Sequence, residues 1–400
     1  MNAVFTPGSA VGTITVPPSK SFTHRYLIAS ALAKGGCKIE NILLSEDTTA
    51  TIECLRALGA KIQIDGKTAF VNKGIDIRDG TMLFCGESGS TLRMLMPLAF
   101  CGKKVIFHVA DSLKKRPMTV FEEIAGMQNI EYQKEENEIT VCGKLKSGEF
   151  HIKGNISSQF ITGLLYALPL LEGDSKIIIE EPIESLPYID MTLLVLNEFG
   201  ITCYWDSKST ILISGNQTYH KRDCLVEGDW SNGAFFKALN TIGSHVEING
   251  LESESIQGDS AVVSRLRGIE RGFPLIDISN CPDIGPLLFS VAAAKNGAAF
   301  KGTERLRIKE SDRLGCMDEE LRKLGVSMTY SEDFVKVNNW NVHAPSEPLS
   351  GHGDHRIIMA LSLVLSVYGG TILGAEAVRK SYPGFFDDLK KIGINVKVEV

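Results

Sequence analysis

Seven basic residues stand at or near the polar junctions that precede apolar, helix-like segments of this chain. They are Lys20, Arg25, Arg93, Arg116, Arg313, Arg356 and Lys380. Any one of them alone is better explained as a solvated residue or a surface ion pair, but their recurrence at equivalent positions indicates a shared site. Arginine suits bidentate recognition of phosphate and carboxylate, and lysine supplies a movable point charge. The pattern therefore predicts a site for anionic substrates.

Two carboxylates occur among these cations, Asp283 after Cys281-Pro282 and Glu310 after Lys309. A carboxylate in a basic cleft can accept or deliver a proton, because its neighbours set its pKa. The alternatives are a helix N-cap for Asp283 and an ion-pair partner for Glu310. Capping and catalysis can coexist at Asp283, so the sequence leaves both roles open.

Six segments with a common layout must position these side chains. Each opens with a polar or Gly-rich junction and an apolar helix, starting near residues 19, 86, 155, 228, 281 and 353. A second helix with one buried face follows, as in 310–328, where Leu314, Met317, Leu321 and Leu324 have helical spacing. In the fourth copy this helix, about 258–268, is predicted to be shortened. Helix N-termini carry partial positive charge and open N–H groups, so six converging ends would bind a heavily anionic substrate pair.

The repeats predict an α/β (α+β) protein with two similar domains. Three copies occupy about 18–226 and three occupy about 227–400, and 400 residues are too many for one compact core. Asp65-Gly66, between two alternating apolar segments, predicts a hairpin turn.

Composition excludes several classes of protein. A net charge of −6 without a basic tail argues against a general nucleic-acid binder. The start of the chain lacks the pattern of a signal peptide, and the longest apolar stretch, 357–368, is too short to span a bilayer. The nine cysteines are scattered and favour reduced thiols in a cytosolic protein.

His352 and His355 flank Asp354 beside an arginine, which favours structural roles over metal ligation, and no metal or cofactor motif is present.

Ten sequence blocks resemble, in order and essentially end to end, those of the 5-enolpyruvylshikimate-3-phosphate (EPSP) synthases. The blocks are PPSKSFTHR (17–25), GESGSTLR (86–93), KKRPM (114–118), ISSQF (156–160), SLPYID (185–190), GDWS (228–231), CPDIGP (281–286), RIKESDRL (307–314), GDHR (353–356) and VRKSYPGFF (378–386). One block alone would be weak evidence, whereas ten in family order are very specific.

The resemblance implies a two-domain inside-out α/β barrel with six repeated βαβαββ-type subdomains, three in each domain. The domains would be 18–226, on the shikimate 3-phosphate side, and 1–17 plus 227–400, on the acid/base and phosphoenolpyruvate side, with a hinge near 17 and 227. Shikimate 3-phosphate would bind first and the cleft would close. The family resemblance also implies a cytoplasmic monomer that needs no cofactor or metal, and partners that are these two substrates, with neither nucleic acid nor membrane.

The implied reaction moves the enolpyruvyl group of phosphoenolpyruvate to the 5-hydroxyl of shikimate 3-phosphate through a tetrahedral intermediate, and releases phosphate. Asp283 would act as the base, Glu310 as the proton shuttle at C3, and Lys20 would assist. The residues implied to hold shikimate 3-phosphate are Lys20, Ser21, Arg25, Ser157, Ser158, Gln159, Ser185, Tyr188, Asp283 and Lys309. Those implied to hold phosphoenolpyruvate are Lys20, Gly89, Arg116, Gln159, Arg313, Arg356 and Lys380.

Four positions depart from common family patterns. Glu87 stands where many members carry Asn, Ser90 where many carry Thr, Asn232 where Ser or Gln is more usual, and Arg305 where Asn or Glu is expected. Glu87 would repel phosphoenolpyruvate unless it pairs with a cation or faces away. Gly89 has no side chain at the position where alanine in this family hinders glyphosate, so the resemblance implies a glyphosate target.

Two alternatives remain at this point. UDP-N-acetylglucosamine enolpyruvyl transferase shares fold and donor, but that family typically carries a reactive Cys, or an Asp, on the second-repeat loop. The corresponding stretch here, 111–117, has no Cys, and KKRPM agrees with the shikimate branch. A non-catalytic, anion-binding relative would have lost acid/base residues that this chain retains.

Overall fold

The computed structural model describes residues 1–339 and 341–399, so Trp340 and Val400 of the predicted C-terminal domain lie outside the described residues. The chain divides into two compact units. The C-terminal unit consists of Met1–Pro17 and Gly228–Val400, and the N-terminal unit consists of Pro18–Glu227.

Short strands follow one another along both units. Within the described residues they are β1 Asn2–Thr6, β2 Val11–Thr15, β3 Cys37–Glu40, β4 Lys61–Asp65, β5 Thr68–Lys73, β6 Thr81–Gly86, β7 Val105–Val109, β8 Glu131–Glu135, β9 Glu138–Cys142, β10 Glu149–Lys153, β11 Ser175–Glu180, β12 Cys203–Trp205, β13 Thr210–Ile213, β14 Cys224–Leu225, β15 His245–Asn249, β16 Leu275–Asp277, β17 Ala298–Lys301, β18 Ser327–Tyr330, β19 Phe334–Asn338, β20 Leu349–Ser350, β21 Gly370–Leu373 and β22 Asn395–Glu399.

Helices alternate with these strands. Over the same residues they are α1 Lys20–Leu32, α2 Glu46–Ala57, α3 Gly89–Ala99, α4 Asp111–Lys114, α5 Thr119–Gln128, α6 Ser158–Ala167, α7 Leu186–Glu198, α8 Trp230–Thr241, α9 Val262–Arg271, α10 Gly285–Ala294, α11 Arg313–Lys323, α12 His355–Tyr368 and α13 Phe385–Lys391.

The described strands form six sheets, three in each unit, which confirms the mixed α/β fold with six repeated subdomains. Five sheets share one arrangement, in which a parallel pair is extended by two antiparallel strands. Their orders are β14-β3-β5-β4, β6-β7-β9-β8, β10-β11-β13-β12, β16-β17-β19-β18 and β20-β21-β1-β22. The sixth sheet pairs only β15 with β2, in parallel.

The fourth repeat has the second helix that was expected to be short. Residues 258–261 form a 3-10 turn, Gly258–Ala261, and α9 follows with ten residues, fewer than α2, α7 and α11 but more than α13. What is reduced in this repeat is its sheet, which has two strands rather than four. Loss of strands leaves helical periodicity intact, so the sequence pattern gave no sign of the smaller sheet.

The first helix of every repeat is buried, as its uniformly apolar sequence predicts. In α12 every residue from His355 to Ser366 is buried, and α10 is buried from Gly285 to Ala293. A helix that is apolar on all sides is most stable when it is surrounded by sheets and other helices, because its whole apolar surface is then removed from water. The junctions at the starts of these helices are thereby fixed to the rigid interior of each unit.

Five of these six helices begin with a Ser or Asp that caps the helix. The caps are Ser19, Ser88, Ser157, Asp229 and Asp354, and each side chain accepts a backbone N–H of the first turn. Such a cap contributes about 0.5–2 kcal/mol. The expectation of open N–H groups is therefore corrected in part, since the caps already satisfy one N–H at each of these ends.

The helix α10 begins differently, and this corrects the N-cap alternative for Asp283. Asp283 lies within a 3-10 turn, Pro282–Ile284, and Ile284 occupies the cap position without a side-chain hydrogen bond. The carboxylate of Asp283 is therefore directed to other partners.

Two local predictions are confirmed. Leu314, Met317, Leu321 and Leu324 are fully buried on one face of α11, and Gly66 turns between β4 and β5 with φ +55°. Across 1–339 and 341–399, the structure contains no helix with the length and apolar character needed to cross a membrane.

Candidate active site

Arg313 is the centre of a buried ion cluster in the C-terminal unit. It is the first residue of α11, and Asp312 caps that helix by accepting the N–H groups of Leu314 and Gly315. The Nε of Arg313 donates to Oδ2 of Asp354 at 2.8 Å, and its Nη2 donates to Oδ1 at 3.3 Å. Burial opposes the charge, but the nearby carboxylates outweigh it and raise the pKa of Arg313, so the guanidinium stays charged.

Both predicted acid/base carboxylates contact this guanidinium. Asp283 Oδ1 accepts from Arg313 Nη1 at 3.1 Å, and Glu310 Oε2 accepts from Arg313 Nη2 at 2.6 Å. The ion-pair role considered for Glu310 is thus present in the structure. Arg313 and Asp354 are the fully buried pair of the cluster, and removing one member of such a pair typically costs about 3–5 kcal/mol, because it leaves an uncompensated charge.

Lys309 adds a second cation to Asp283. Its Nζ lies 3.1 Å from Oδ1 of Asp283. Burial lowers the pKa of Lys309 to about 8, although Asp283 opposes this shift, while the charges of Arg305 and Arg313 add to it. Arg305, which departs from the family pattern, is buried. Its positive charge makes Lys309 easier to deprotonate.

Arg356 and Lys380 are held near the same cluster. Arg356 Nη2 lies 3.9 Å from Oδ2 of Asp283, and its Nη1 donates to Oδ1 of Asn232 at 3.1 Å. The amide of Asn232 also donates to Ser381 O at 3.3 Å, so this departure from the family pattern orients Arg356. Lys380 Nζ donates to the carbonyl of Gly353 at 2.7 Å, beside the start of α12.

The sequence analysis missed two carboxylates of this cluster, Asp354 and Asp259. Asp354 holds Arg313 as described above. Asp259 is fully buried and accepts a short hydrogen bond from Ser231, and burial, with the charge of Asp283, raises the pKa of Asp259 to about 6. Both follow a glycine, as the capping Asp229 does, and this recurring Gly-Asp pair is the signal that could have identified them.

Glu310, Asp354 and His355 each place one potential ligand atom within 4.8 Å of the others. The Arg313 guanidinium already contacts both carboxylates of this group. A fixed cation therefore occupies the position that a metal ion would need, and the donor set suits anion binding through arginine.

In the N-terminal unit, Lys20 and Arg25 lie on α1. Lys20 Nζ pairs with Oδ2 of Asp47 at 2.9 Å. Arg25 is buried, and its Nη2 donates to the carbonyl of Tyr188 at 2.7 Å while its Nε donates to Oγ1 of Thr192 at 3.0 Å. Its Nη1 donates to the carbonyl of Ser21 at 3.0 Å. The structure thus brings Ser21, Arg25 and Tyr188 together.

Gln159 is held from both sides of its amide. Arg93 Nη1 donates to Gln159 Oε1 at 2.9 Å, and Gln159 Nε2 donates to Oγ of Ser90 at 2.9 Å. Arg93 also donates to the carbonyl of Pro117 at 2.9 Å and lies over the Phe160 ring. Arg93 therefore links α3, α6 and the 114–118 loop, and Ser90 supplies the hydroxyl that many relatives take from Thr.

Gly89 and Arg116 are close neighbours. A Cβ atom added at Gly89 would lie 2.4 Å from Nη1 of Arg116, so the guanidinium occupies the space that only a glycine leaves open. Arg116 follows the short helix α4, and its backbone N–H donates to Leu113 O at 3.0 Å. Arg116 Nε makes no hydrogen bond within the described part of the chain.

The predicted serines lie at two helix starts of the N-terminal unit. Ser157 caps α6 through Gln159 N at 3.3 Å, and Ser158 is the first residue of that helix. Ser185 precedes α7 in the left-handed conformation, with φ +56°, and is buried. Glu87 lies half-buried just before α3 and takes part in a hydrogen bond, an ion pair or another electrostatic interaction.

Taken separately, the N-terminal unit presents fixed arginine, lysine, hydroxyl and amide groups, which suit a phosphorylated polyol or a carboxylate. The C-terminal unit presents the two predicted carboxylates, Asp283 and Glu310, among Lys309, Arg313 and Arg356. Asp354 and Asp259 are further carboxylates of the same cluster. Such a set can stabilise a phosphate and move a proton.

Comparison with known proteins agrees with this chemistry. The sequence profile of the family described as EPSP synthase (3-phosphoshikimate 1-carboxyvinyltransferase) matches residues 5–389. Proteins named 3-phosphoshikimate 1-carboxyvinyltransferase are 41% identical in Clostridioides difficile and 40% identical in Clostridium perfringens. The first match covers 97% of this chain and 96% of the relative, and the second covers 98% of each.

Solved structures share the fold. An EPSP synthase from Acinetobacter baumannii superposes with a TM-score of 0.80 at 22% identity, over 100% of both chains. The enolpyruvyl transferase NikO from Streptomyces tendae superposes with a TM-score of 0.78 at 15% identity, over 99% of this chain and 98% of that one. From the family profile and the near-full-length relatives, we conclude that this chain belongs to the EPSP synthase (3-phosphoshikimate 1-carboxyvinyltransferase) family.

Proposed function

We propose that this chain transfers the enolpyruvyl group of phosphoenolpyruvate to the 5-hydroxyl of shikimate 3-phosphate and releases inorganic phosphate. Membership of the family supports the overall reaction. The observation that carries the assignment of roles is that Arg313 holds Asp283 and Glu310 at 3.1 and 2.6 Å. Two carboxylates on one fixed cation support the proposal of a base and an acid beside an anion-binding group.

The reaction needs two proton movements at the donor and one at the acceptor. The 5-hydroxyl oxygen attacks C2 of phosphoenolpyruvate while a proton reaches C3, which gives a tetrahedral intermediate. Phosphate then leaves from C2, and a proton is removed from C3 to restore the double bond. We assign Asp283 to the hydroxyl proton and Glu310 to the protons at C3, with Lys20 assisting, and the arginines balance the charge of the phosphate and carboxylate groups.

Lys309 and Arg313 both contact Oδ1 of Asp283. Anionic substrates would meet the same two cations, so the proposed base lies beside the groups that we propose to bind the charges of the substrates.

The substrate contacts follow the family pattern. We assign Ser21, Arg25, Ser157, Ser158, Gln159, Ser185, Tyr188, Asp283 and Lys309 to shikimate 3-phosphate, and Gly89, Arg116, Gln159, Arg313, Arg356 and Lys380 to phosphoenolpyruvate, with Lys20 touching both. The N-terminal unit thus carries most acceptor contacts, and the C-terminal unit carries the acid/base groups. We also assign the protein to the cytoplasm as a monomer, from the same resemblance.

Binding of shikimate 3-phosphate should be linked to the protonation of Lys309. Burial lowers the pKa of Lys309 to about 8, below the ordinary lysine value of about 10.4. The buried ammonium thus lowers stability at every pH below about 8, and this cost is relieved as the pH rises from about 8 to about 10.4. A bound phosphate favours the ammonium, so binding at pH 9 should take up about one proton, and affinity should fall above about pH 8.

Calorimetric titration in buffers of different ionisation enthalpy measures this proton uptake. The control variant Lys309→Arg keeps its charge at pH 9, so it should bind without the Lys309-linked proton uptake. Equal uptake by wild-type and Lys309→Arg protein would remove Lys309 from the linkage.

The reaction itself is tested by phosphate release from phosphoenolpyruvate with shikimate 3-phosphate or UDP-N-acetylglucosamine as acceptor. We expect release with shikimate 3-phosphate alone. Release only with the nucleotide sugar would favour the related transferase. No phosphate release with either acceptor would contradict the proposal. The first variants to make would then replace Glu87 and Arg305 with the residues of the family pattern.

A further inference from the structure

Asn232 is a fully buried amide that contacts one of the cations assigned to phosphoenolpyruvate. Its Oδ1 accepts a hydrogen bond from Nη1 of Arg356 at 3.1 Å, and its Nδ2 donates to the carbonyl of Ser381 at 3.3 Å. The reverse orientation would place the N–H groups of the amide against the guanidinium and its oxygen against a carbonyl. The Asn232 amide therefore has one favourable orientation, with its oxygen directed at Arg356.

The start of α8 holds Asn232 in place. Asp229 Oδ1 accepts the backbone N–H of Asn232 at 2.8 Å. Gln257 bridges the same turn, because its Oε1 accepts the N–H of Trp230 at 3.1 Å and its Nε2 donates to the carbonyl of Gly228 at 2.8 Å. Buried groups with several partners keep one geometry. Two of the first N–H groups of α8 are thus used within the protein, and this helix start contributes an oriented side chain.

Arg356 has fewer partners than Arg313. Both guanidinium groups are buried, but Arg313 donates to three carboxylates. Among the described residues, the side chain of Arg356 makes one hydrogen bond, to Asn232, and its Nη2 lies 3.9 Å from Oδ2 of Asp283, beyond hydrogen-bond distance. Arginine stays protonated in proteins. The charge of Arg356 is therefore held in place mainly by a neutral group.

The neutrality of the Asn232 amide matters for anion binding. A carboxylate at this position would form a buried ion pair with Arg356 and would weaken the attraction between the guanidinium and an anionic ligand. An amide oxygen accepts the same hydrogen bond without adding charge. Asn232 can therefore orient Arg356 and leave its positive charge available.

Asn232 also joins Arg356 to a second cation, Lys380. The carbonyl that accepts from Asn232 belongs to Ser381, the residue after Lys380. Lys380 Nζ donates to the carbonyl of Gly353, three residues before Arg356, at 2.7 Å. These contacts connect α8, the turn that ends at Lys380 and the start of α12, so a shift of the amide would move both cations.

We propose that Asn232 is a positioning residue for phosphoenolpyruvate, which orients Arg356 and Lys380 together and leaves the charge of Arg356 uncompensated. This inference deepens the proposed function and rests on it, because both cations are assigned there to phosphoenolpyruvate. Asn232 itself touches no substrate in our assignment. Its replacement should raise the KM for phosphoenolpyruvate, whereas kcat and the KM for shikimate 3-phosphate should change little.

Three substitutions of Asn232 separate orientation from packing. Asn232→Asp keeps the volume and the acceptor but adds a negative charge, so the KM for phosphoenolpyruvate should rise at least about tenfold. Asn232→Ala removes the acceptor, and the rise should be about three- to tenfold. Asn232→Ser leaves nearly the same cavity as alanine but keeps a neutral acceptor, so its KM should lie closest to the wild-type value.

The order of the three KM values decides between the two roles. Orientation of Arg356 predicts that the aspartate variant is the most impaired and the serine variant the least. A role in packing alone predicts the opposite, because aspartate conserves the volume of asparagine whereas alanine and serine leave a cavity. Equal KM values for the alanine and serine variants, or a mild aspartate variant, would overturn the proposal.

Asn240→Asp is the matched control in the same helix. Its amide is also held on both sides, since Nδ2 donates to the carbonyl of Val246 at 2.8 Å and Oδ1 accepts the Val246 N–H at 2.7 Å. The substitution should lower the melting temperature, because the carboxylate cannot donate to that carbonyl, and should leave both KM values unchanged. A rise in the KM for phosphoenolpyruvate equal to that of Asn232→Asp protein would indicate a general effect of destabilising α8 and would overturn the proposal.

Binding of phosphoenolpyruvate alone separates this inference from the proposed function. Calorimetric titration without an acceptor measures the Kd while no transfer can occur. Wild-type protein should bind phosphoenolpyruvate at least about tenfold more tightly than Asn232→Asp protein. Equal affinities would overturn the role of Asn232. The expected difference in affinity, found together with no phosphate release in the complete assay, would support the role of Asn232 and contradict only the proposed reaction.

Discussion

Asp283→Asn protein should turn over about 10²- to 10⁴-fold more slowly than wild-type protein while it still binds both substrates. The amide keeps the volume of the carboxylate and can still accept hydrogen bonds from Lys309 and Arg313, which lie 3.1 Å from Oδ1. It cannot take the proton of the 5-hydroxyl. The measurement is kcat and KM by phosphate release, and we expect the loss to fall on kcat.

Asp277→Asn is the matched control for this variant. Asp277 ends β16 in the same unit, is part exposed, pairs with Lys301 at 3.1 Å, and accepts hydrogen bonds from the N–H and hydroxyl of Ser279, which the amide oxygen of asparagine can also accept. A surface pair of this kind contributes about 0–1 kcal/mol, so both stability and kcat should stay near wild-type values. Normal turnover by Asp283→Asn protein would refute the assignment of the base.

Glu310→Gln protein separates the two carboxylates by chemistry. If Glu310 moves the protons at C3, this variant should lose turnover and also lose deuterium incorporation at C3 when the reaction is run in heavy water. Asp283→Asn protein should block attack at C2 instead. Unimpaired deuterium incorporation by Glu310→Gln protein would assign the C3 proton to another group, with Lys20 as the next candidate.

The repeat architecture could be predicted from sequence because it rests on local patterns. Apolar helices after polar junctions recur six times, and each pattern reports burial directly, as α10 and α12 illustrate. The reduced fourth sheet could not be predicted in this way. Pairing of β2 with β15 joins residues more than two hundred positions apart, and no local periodicity records the number of strands in a sheet.

Only some of the contacts in the Arg313 cluster could be predicted from the sequence. Glu310 lies only three residues before Arg313, in the bend that precedes α11, so a short chain separation keeps the two side chains within reach of each other. The contact between Arg313 and Asp354 depends on how α11 meets the start of α12, which spacing does not determine. Prediction of helix caps from sequence has a similar limit. Asp283 stands just before α10, yet its carboxylate accepts a hydrogen bond from Lys309 and the helix has no side-chain cap.

Departures from the family pattern became interpretable only through their partners. Asn232 orients Arg356 through one hydrogen bond, and Ser90 accepts from Gln159. Each replacement keeps the polar atom that the contact needs while it changes the rest of the side chain. A sequence comparison alone records the changed letter and gives no sign of these contacts.

Gly89→Ala protein should fold normally but bind phosphoenolpyruvate about 10- to 100-fold more weakly, which corresponds to loss of one charged hydrogen bond of about 1.5–3 kcal/mol. Gly89 is the first residue of α3 and is not in the left-handed conformation, so alanine suits its backbone. The new Cβ would lie 2.4 Å from Nη1 and 2.8 Å from Cζ of Arg116. The flexible guanidinium must move, and the proposed donor site loses one of its five cations from its position.

Glyphosate gives this prediction its second measurement. Wild-type protein should be inhibited by glyphosate in competition with phosphoenolpyruvate, and full activity in about millimolar glyphosate would contradict this. Gly89→Ala protein should resist the inhibitor. Gly126→Ala is the matched control, because Gly126 lies inside α5 with open space around its Cβ position. That change should add about 0.5–1 kcal/mol of helix stability and leave KM and inhibition unaltered. A kinetic effect confined to Gly89→Ala protein would therefore identify the displacement of Arg116, rather than helix propensity, as its cause.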